Sequence, residues 1–152
     1  DLLAACTGYL YALQAAFDFC HSQPDANILV VTAEAMSTYT DPNDFDTAIA
    51  LTALDKGRFR GTTHWAYANM VGPYGGITSA TLLQAVMLHP DRLGSPVALT
   101  VNFAGPIADG PFEISARASR TNRSTQHWSL ELSQQGVIAT TATAVFADQV
   151  VF

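Results

Sequence analysis

Four strand-like segments joined by short turns fill the last third of this sequence, and they constrain its fold more than any other feature. They read "PVALTVNFA", "PFEISARASR", "STQHWSLELSQ" and "VIATTATAVFA". Alternation in "HWSLELS" places Trp128, Leu130 and Leu132 on one side of a sheet. The segment before them, "ITSATLLQAVMLHP", has apolar residues at helical spacing, and Pro90 lies just past its end. One helix followed by an antiparallel meander predicts an α+β fold, with the helix against one curved sheet.

A hairpin is predicted ahead of that helix. "TAIALTAL" (Thr47–Leu54) and "GRFRGTTHW" (Gly57–Trp65) are strand-like on either side of "DKG". Gly57 can adopt the positive φ that such a tight turn requires. The sheet therefore gains two more predicted strands.

The first part of the chain has a different pattern. Apolar residues from Leu10 to Cys20 recur at helical spacing, and Pro24 ends that pattern. "NILVVTA" (Asn27–Ala33) predicts a strand buried on both faces. "STYTDPND" (Ser37–Asp44) is predicted to be a loop, because proline and Asp/Asn cluster there.

Length and composition limit the class of protein. The chain has 152 residues, of which 49% are hydrophobic and 13% charged, enough for one domain or a small domain plus an appendage. No apolar run approaches the roughly 18 residues of a membrane span, and no basic segment precedes an apolar one as in a signal peptide. The two cysteines make no disulfide framework. We therefore expect a cytoplasmic protein.

Charge is distributed unevenly. Residues 1–55 carry eight acids and no Lys or Arg, whereas residues 56–152 carry seven bases and five acids, so the two parts have charges of −8 and +2 and sum to −6. The asymmetry suggests two segments of different origin. The overall acidity argues against a nucleic-acid partner.

Most of the chain resembles the hotdog-fold acyl-CoA thioesterases, specifically the N-terminal half of the double-hotdog type. The residues that carry this resemblance are "FDTAIALTAL", "AYANMVGPYGGITSATLLQAV", "LTVNFAGPIADGPFEISA" and "RTNRSTQHWSLELSQQGVIATTATAVFA". The family wraps an antiparallel sheet round a central helix, pairs two such units, and hydrolyses acyl thioesters at their interface. The resemblance implies a hotdog domain over residues 45–152, a homodimer or larger hotdog assembly, and acyl-CoA or acyl-ACP as substrate, with no separate cofactor and no metal.

Residues 1–44 resemble a different family, the ketoacyl-ACP synthase III enzymes of the thiolase fold. "DLLAACTGYLYAL", "NILVVTAEAMS" and "DPND" carry that match, and the two patterns join near "DPNDFDTA". In the synthase family the cysteine at the position of Cys6 takes the acyl group from acyl-CoA. Its His and Asn partners lie beyond the join in that family, so we expect Cys6 to be catalytically idle.

Backbone amides at the start of the central helix are the predicted catalytic element. Gly75 and Gly76 in "GPYGG" open that helix, and Asn69 lies just ahead of them. Free N–H groups at a helix start stabilise the negative charge that develops on a thioester oxygen, and glycine permits close approach. An alternative explanation is that these glycines only allow the helix and the sheet to pack tightly.

Other residues are expected to hold the substrate. Gln126 is a candidate for positioning water or the pantetheine arm, and Arg120 one for the phosphates of coenzyme A. The acyl chain is expected along Leu82 and Val86 on the central helix. The remaining candidate substrate-binding residues are Asn122, Arg123, Ser124 and Thr125. For each polar residue a simple role in a turn or strand edge is the alternative.

Three functions follow from these patterns. The first is binding and hydrolysis of acyl thioesters by the hotdog domain. The second is acyl transfer on Cys6, and the third is a non-catalytic fragment that dimerises or binds acyl-CoA. In double-hotdog relatives the Asp, Thr/Ser and Gln that activate water lie mainly in the second hotdog, so hydrolysis depends on what a partner unit supplies.

Overall fold

A computed structural model describes residues 8–23 and 42–148 of the chain. It divides the chain into two compact units, Asp1–Thr38 and Tyr39–Phe152, with the division a few residues before the predicted join. Cys6 and the predicted strand at Asn27–Ala33 lie outside the described residues.

The first unit contains helix α1 (Gly8–Ser22), which confirms the predicted helix and ends just before Pro24. Gln14 donates from Nε2 to Asp18 Oδ1 at 2.9 Å, one helical turn away. The Ser22 hydroxyl donates to the Phe19 carbonyl at 2.8 Å and so occupies one of the carbonyls at the helix end.

The second unit is an antiparallel sheet packed against one long helix, α3 (Gly75–Met87). A short helix, α2 (Pro42–Ala48), precedes the sheet. The strands are β1 (Thr52–Asp55), β2 (Arg58–Thr62), β3 (Ala68–Asn69), β4 (Gly72–Pro73), β5 (Ser95–Phe103), β6 (Pro111–Thr121), β7 (Thr125–Gln134) and β8 (Val137–Ala147). The six-stranded sheet has the order β1-β2-β6-β7-β8-β5, and β3 and β4 form a separate hairpin. This confirms the predicted α+β class.

The core lies between α3 and the inner face of the sheet. Trp128, Leu130 and Leu132 are each 1% exposed, which confirms that the alternating residues of β7 share a buried face. Other members of the core are Phe59, Leu82, Val86, Ile114, Ala144 and Phe146. This packing fixes α3 along the strands, so the two ends of the helix reach opposite ends of the sheet.

Two local predictions near the start of the unit were wrong. Residues 42–44 belong to helix α2 rather than to a loop, and the predicted strand at Thr47–Leu54 is reduced to Thr52–Asp55. Proline suits the first position of a helix because its φ is already helical and its missing N–H is not needed there. Burial of Ala48 with Tyr67 and Ile77 then stabilises the end of α2.

Gly57 makes the tight connection between β1 and β2. Its φ is +87°, and an added Cβ would lie 2.6 Å from the Ala116 carbonyl oxygen. The predicted turn is therefore confirmed, and glycine is required there because a larger residue would be both strained and blocked.

β5 is an edge strand of the sheet and pairs on one side with β8. Its nine residues, "SPVALTVNF", include no charged side chain. Val97 is 68% exposed and Phe103 is 57% exposed. The sheet thus presents a long, uncharged edge with large apolar side chains beside it.

The hydroxyl of Thr140 has no hydrogen-bond partner among the described residues, although the side chain is fully buried. A buried polar group without a partner costs about 1–3 kcal/mol. We therefore expect Thr140→Val to raise the free energy of unfolding, measured by urea denaturation, by about 1 kcal/mol. The control is Thr143→Val, at an exposed position of the same strand, which should change little. Equal effects of the two variants would contradict this explanation.

Candidate functional site

The start of helix α3 has two backbone amides with no partner inside the described part of the chain. The helix begins at Gly75, as predicted. The Tyr74 carbonyl accepts from the amides of Ile77 at 3.1 Å and Thr78 at 3.3 Å. The amides of Gly75 and Gly76 donate to no other described residue. Two N–H groups at the positive end of the helix dipole are therefore available to an oxygen ligand.

Aromatic rings lie against both glycines. An added Cβ on Gly75 would be 3.0 Å from Cζ of Phe103, and one on Gly76 would be 2.3 Å from the ring of Tyr74. The packing explanation for these glycines is thus supported. This packing is compatible with the catalytic explanation, because the backbone of Gly76 is exposed to solvent and so accessible to a ligand.

Asn69 lies on the β3–β4 hairpin, which leads directly into α3. Its Oδ1 accepts from the amide of Met70 at 2.7 Å, and it pairs with Gly72 across the hairpin. Gly72 has a φ of +112°, and an added Cβ would lie 2.3 Å from the Ile107 carbonyl oxygen. This close approach fixes the hairpin beside the loop that precedes β6.

A small cleft, with a cavity volume of about 20 Å³, reaches the first turns of α3. The apolar residues that line it are Ala48, Pro73, Ile77, Ile107, Phe112 and Leu132. The polar residues that line it are Thr62, Thr63, His64, Thr78 and Thr81. It is therefore an apolar cleft with hydroxyl groups and one imidazole in its wall. Gly75 and Gly76 do not line it, but Pro73 before them and Ile77 after them do.

The wall of the cleft at Thr63 is held by the loop that precedes β6. The Thr63 hydroxyl is hydrogen-bonded to the Asp109 carboxylate and accepts from the amide of Gly110 at 2.8 Å. The Thr63 amide in turn donates to the Gly110 carbonyl at 3.0 Å. These three hydrogen bonds join the end of β2 to the start of β6 at this side of the cleft.

Gln126 does not lie near the glycines. Its side chain is 2% exposed, and Oε1 accepts from the Leu93 amide at 2.9 Å and from Trp128 Nε1 at 3.1 Å. Nε2 donates at 3.0 Å to the Asp91 carbonyl and to the Thr121 hydroxyl. The residues it holds follow the C-terminal end of α3, and the 13-residue helix is about 18 Å long. Gln126 was predicted to position water or the pantetheine arm, but within this chain its amide is enclosed and instead holds the turn after α3 against β6 and β7.

The other polar candidates lie at the same distant end. Asn122 accepts at Oδ1 from Arg120 Nε at 2.8 Å and donates to the Thr125 hydroxyl at 3.0 Å. The Ser124 carbonyl accepts from the amide of Asp148, and Arg123 is exposed. They form the β6–β7 hairpin, about 20 Å along β7 from the cleft. The structure does not bring them together with the helix start.

Leu82 and Val86 leave no room for an acyl chain. Both are 0% exposed and belong to the packed core. The expectation that a chain lies along them is therefore corrected. Thr78 and Thr81, which line the cleft instead, were missed. The signal in the sequence was the presence of two threonines, about one helical turn apart, within a largely apolar helix.

His89 is buried at the C-terminal end of α3, where its ring contacts Trp128 with centroids 4.7 Å apart. Burial lowers the pKa of His89 below its ordinary value of 6.5; the Asp91 charge opposes this shift and the Lys56 charge adds to it. The unfolded chain thus takes up a proton near pH 6.5 that the folded chain takes up only at lower pH. The stability that His89 contributes is complete above that pH and is lost on acidification.

We therefore expect the free energy of unfolding to be lower at about pH 5.5 than at about pH 7.5, as measured by urea denaturation. His89→Asn should reduce this difference, because its amide oxygen can still accept from Asp91 N while no group titrates. His127→Asn, at an exposed position on the other face of the sheet, should not. An unchanged pH dependence in His89→Asn would contradict the assignment.

Residues 8–23 and 42–148 contain neither a membrane-spanning helix nor a metal-binding group of side chains. None of the helices there has the length and apolar character to cross a membrane. No group of three or more His, Cys, Asp or Glu side chains in these ranges is placed to hold a metal ion.

Comparison with known proteins gives two separate matches. The family described as acyl-CoA thioesterase N-terminal domain matches residues 63–147, more than half of the chain. The family described as 3-oxoacyl-[acyl-carrier-protein] synthase III matches residues 1–53. The nine residues 54–62, which contain the end of β1 and all of β2, separate the two matches.

Individual relatives repeat this division. A conserved protein of unknown function with a hot dog fold from Alicyclobacillus acidocaldarius is 56% identical, with a TM-score of 0.67, over 70% of this chain and 40% of that one. An acyl-CoA thioesterase II from Mycobacterium marinum has a TM-score of 0.58 at 17% identity, over 69% of this chain and 39% of that one, which shows the shared fold alone. A β-ketoacyl-ACP synthase III from Oleidesulfovibrio alaskensis is 47% identical over 49 residues, 32% of this chain and 15% of that protein. The chain thus spans less than half the length of these relatives.

Proposed function

Because this chain belongs to the acyl-CoA thioesterase N-terminal domain family, we propose that it binds acyl thioesters and takes part in their hydrolysis. The observation that supports this proposal is the pair of amides at Gly75 and Gly76, which have no other partner among the described residues. The two glycines lie in the chain between Pro73 and Ile77, both of which line the cleft. The thioester carbonyl oxygen would bind at these amides.

Thioester hydrolysis requires stabilisation of the negative charge that develops on the carbonyl oxygen. When the oxygen of water attacks the thioester carbon, the carbonyl oxygen becomes negative; the carbon–sulfur bond then breaks and the thiol leaves with a proton. Amides already oriented by the helix stabilise that oxygen without reorganising. The helix dipole adds to this effect, since its N-terminal end carries partial positive charge.

We infer that a second hotdog unit completes the site. The resemblance to double-hotdog enzymes implies that the group activating water comes mainly from that unit. The uncharged edge strand β5 offers unpaired backbone groups to it, with Val97 and Phe103 exposed beside them. The second unit is a further copy of this chain in a homodimer, or another hotdog in a longer protein.

The test is thiol release from acyl-CoAs of several chain lengths, followed with a thiol-reactive dye on material whose mass has been measured by light scattering. We expect a species larger than one chain to release free thiol, or to bind a thioether analogue of the substrate saturably. The proposal fails if no acyl-CoA is either hydrolysed or bound.

A second candidate function rests on the similarity of residues 1–53 to synthase III. It is acyl transfer onto Cys6, which differs from hydrolysis in leaving a covalent acyl group on the chain. Intact mass after incubation with acyl-CoA separates the two: a stable gain of one acyl group, absent from Cys6→Ala, supports transfer, and an unchanged mass with thiol release supports hydrolysis.

A further inference from the structure

The connection between β5 and β6, residues 104–110, lies against the segment that leads into α3. An added Cβ on Gly72 would be 2.3 Å from the Ile107 carbonyl oxygen, so the two backbones are in direct contact there. Phe103, the last residue before the connection, lies against Gly75, where an added Cβ would be 3.0 Å from its Cζ. The chain between Gly72 and Gly75 is thus contacted at each end by this part of the molecule.

The side chain of Gln134, at the end of β7, holds the middle of the connection. Its Oε1 accepts from the Ala108 amide at 2.8 Å, and its Nε2 donates to the Ala108 carbonyl at 2.9 Å and to the Pro111 carbonyl at 3.2 Å. One primary amide therefore pairs with both backbone groups of Ala108, as a neighbouring strand would. Ala108 directly follows Ile107, so this clamp lies one residue from the contact with Gly72.

Separate hydrogen bonds hold the two ends of the connection. At its start the amides of Ala104 and Gly105 both donate to the Ala139 carbonyl at 2.9 Å. At its end Gly110 is joined to Thr63 through the Thr63 hydroxyl and amide. Loss of the Gln134 amide would leave these ends attached and would free the backbone between them.

We propose that Gln134 is a positioning residue for thioester hydrolysis. The inference rests on the proposed function, since it concerns the geometry of the same two amides. Gln134 holds Ala108, and the carbonyl of Ile107 beside it limits where Gly72 can lie. The helix starts three residues after Gly72, so the direction of its first amides depends on a side chain that has no hydrogen bond to them.

The orientation of these amides decides how well they stabilise a developing charge. A donor acts fully only at about 2.7–3.1 Å from the position that the oxyanion will occupy. A misplacement of about 1 Å can lower the rate about a hundredfold. The carbonyl of the bound substrate carries less charge, so its binding depends less on this alignment. Loss of the clamp should therefore lower kcat and leave KM nearly unchanged.

The experiment replaces Gln134 with methionine, which has a similar length and no amide, and measures thiol release from an acyl-CoA that the unmodified chain hydrolyses. We expect kcat to fall about tenfold and KM to change by less than about twofold. Circular dichroism shows whether the variant is folded. If Gln134→Met does not fold, Gln134→Glu replaces it, because a carboxylate can accept from the Ala108 amide but cannot donate to either carbonyl.

Phe146→Leu is the control for a general loss of stability. Phe146 is fully buried in the same core and pairs with Gln126, which lies eight residues and about 27 Å along β7 from Gln134. This variant should unfold at lower urea concentration and keep its kcat. If kcat falls as much in Phe146→Leu as in Gln134→Met, the effect is one of stability and the inference is overturned.

A double variant with Gly75→Pro tests whether the clamp acts through the amide of Gly75. Where that N–H group is already absent, Gln134→Met should lower kcat by less than about threefold more, because two changes to one interaction are not additive. A further tenfold loss in the double variant would show that Gln134 acts elsewhere, and would overturn the inference.

The remaining outcomes separate this inference from the proposed function. An unchanged kcat in the Gln134 variant would overturn the inference alone. An unmodified chain that binds acyl-CoA without releasing thiol would also overturn it, because no charge then develops at the amides, although binding of acyl thioesters would stand. Absence of both hydrolysis and binding would instead remove the proposed function, and the inference with it.

Discussion

Replacement of Gly75 with proline is expected to lower kcat for thioester hydrolysis by about a hundredfold to a thousandfold, the usual effect of losing one donor to a developing oxyanion. Proline suits this position, because Gly75 is the first residue of α3. Tyr74, with φ of −55° and ψ of 134°, already has the extended conformation preferred before proline. The substitution therefore removes the N–H group at a position whose backbone conformation suits proline.

Gly75→Ala is the matched control for this prediction. Both variants place a Cβ about 3.0 Å from the Phe103 ring, which is largely exposed and can move, but only alanine keeps the amide hydrogen. Thiol release should persist in the alanine variant, and a thioether analogue should bind to both. If the two variants lose the same activity, the amide of Gly75 has no catalytic role.

Replacement of Trp128 with alanine is expected to lower the free energy of unfolding by about 3–5 kcal/mol. The side chain is 1% exposed in the centre of the core, and its indole Nε1 donates to Gln126. Such a loss is a large share of the 5–15 kcal/mol that typically stabilises a domain, so the variant should unfold at much lower urea concentration.

The chain contains one other tryptophan, Trp65, which is 81% exposed and so provides the control. Trp65→Ala should change the free energy of unfolding by no more than about 0.5 kcal/mol. Circular dichroism follows both variants without relying on either indole. Similar losses in the two would mean that burial does not set the stability of this core.

The sheet and its helix were predictable because their sequence patterns agree with their environment. β7 alternates apolar and polar residues, so Trp128 and Leu130 face the core while His127 and Ser129 face away. α3 begins with Gly75 and Gly76 and is followed closely by Pro90, and these residues mark its two ends. In these segments local preference and tertiary packing favour the same structure.

The start of the second unit was not predictable in the same way. Thr47 and Ala48 continue an apolar run that resembles a strand, yet they form the end of α2. The deciding contact is the burial of Ala48 against Tyr67 and Ile77, residues that lie well apart from it in sequence. A short apolar run does not specify helix or strand by itself.

The candidate site was predicted in part. Gly75 and Gly76 are where the sequence places them, because a glycine pair before a helical pattern marks a helix start. Gln126 and Leu82 were misjudged for opposite reasons: the polar residue is enclosed by its own chain, and the apolar one is enclosed by the core. Sequence indicates what a side chain can do, whereas only the fold shows which side chains share a cavity.

The long edge of β5 has a consequence for how a lone unit behaves at high concentration. Pro96 and the register shift beside it hinder pairing at the start of β5. From Ala98 to Phe103 the strand has no lysine or other charge to discourage an added extended peptide, such as a nascent copy of the same chain. Unless a complementary sheet occupies that edge soon after synthesis, growth into insoluble material competes with correct assembly. The uncharged edge of β5, which permits pairing with a second sheet, therefore also requires that this pairing occur soon after synthesis.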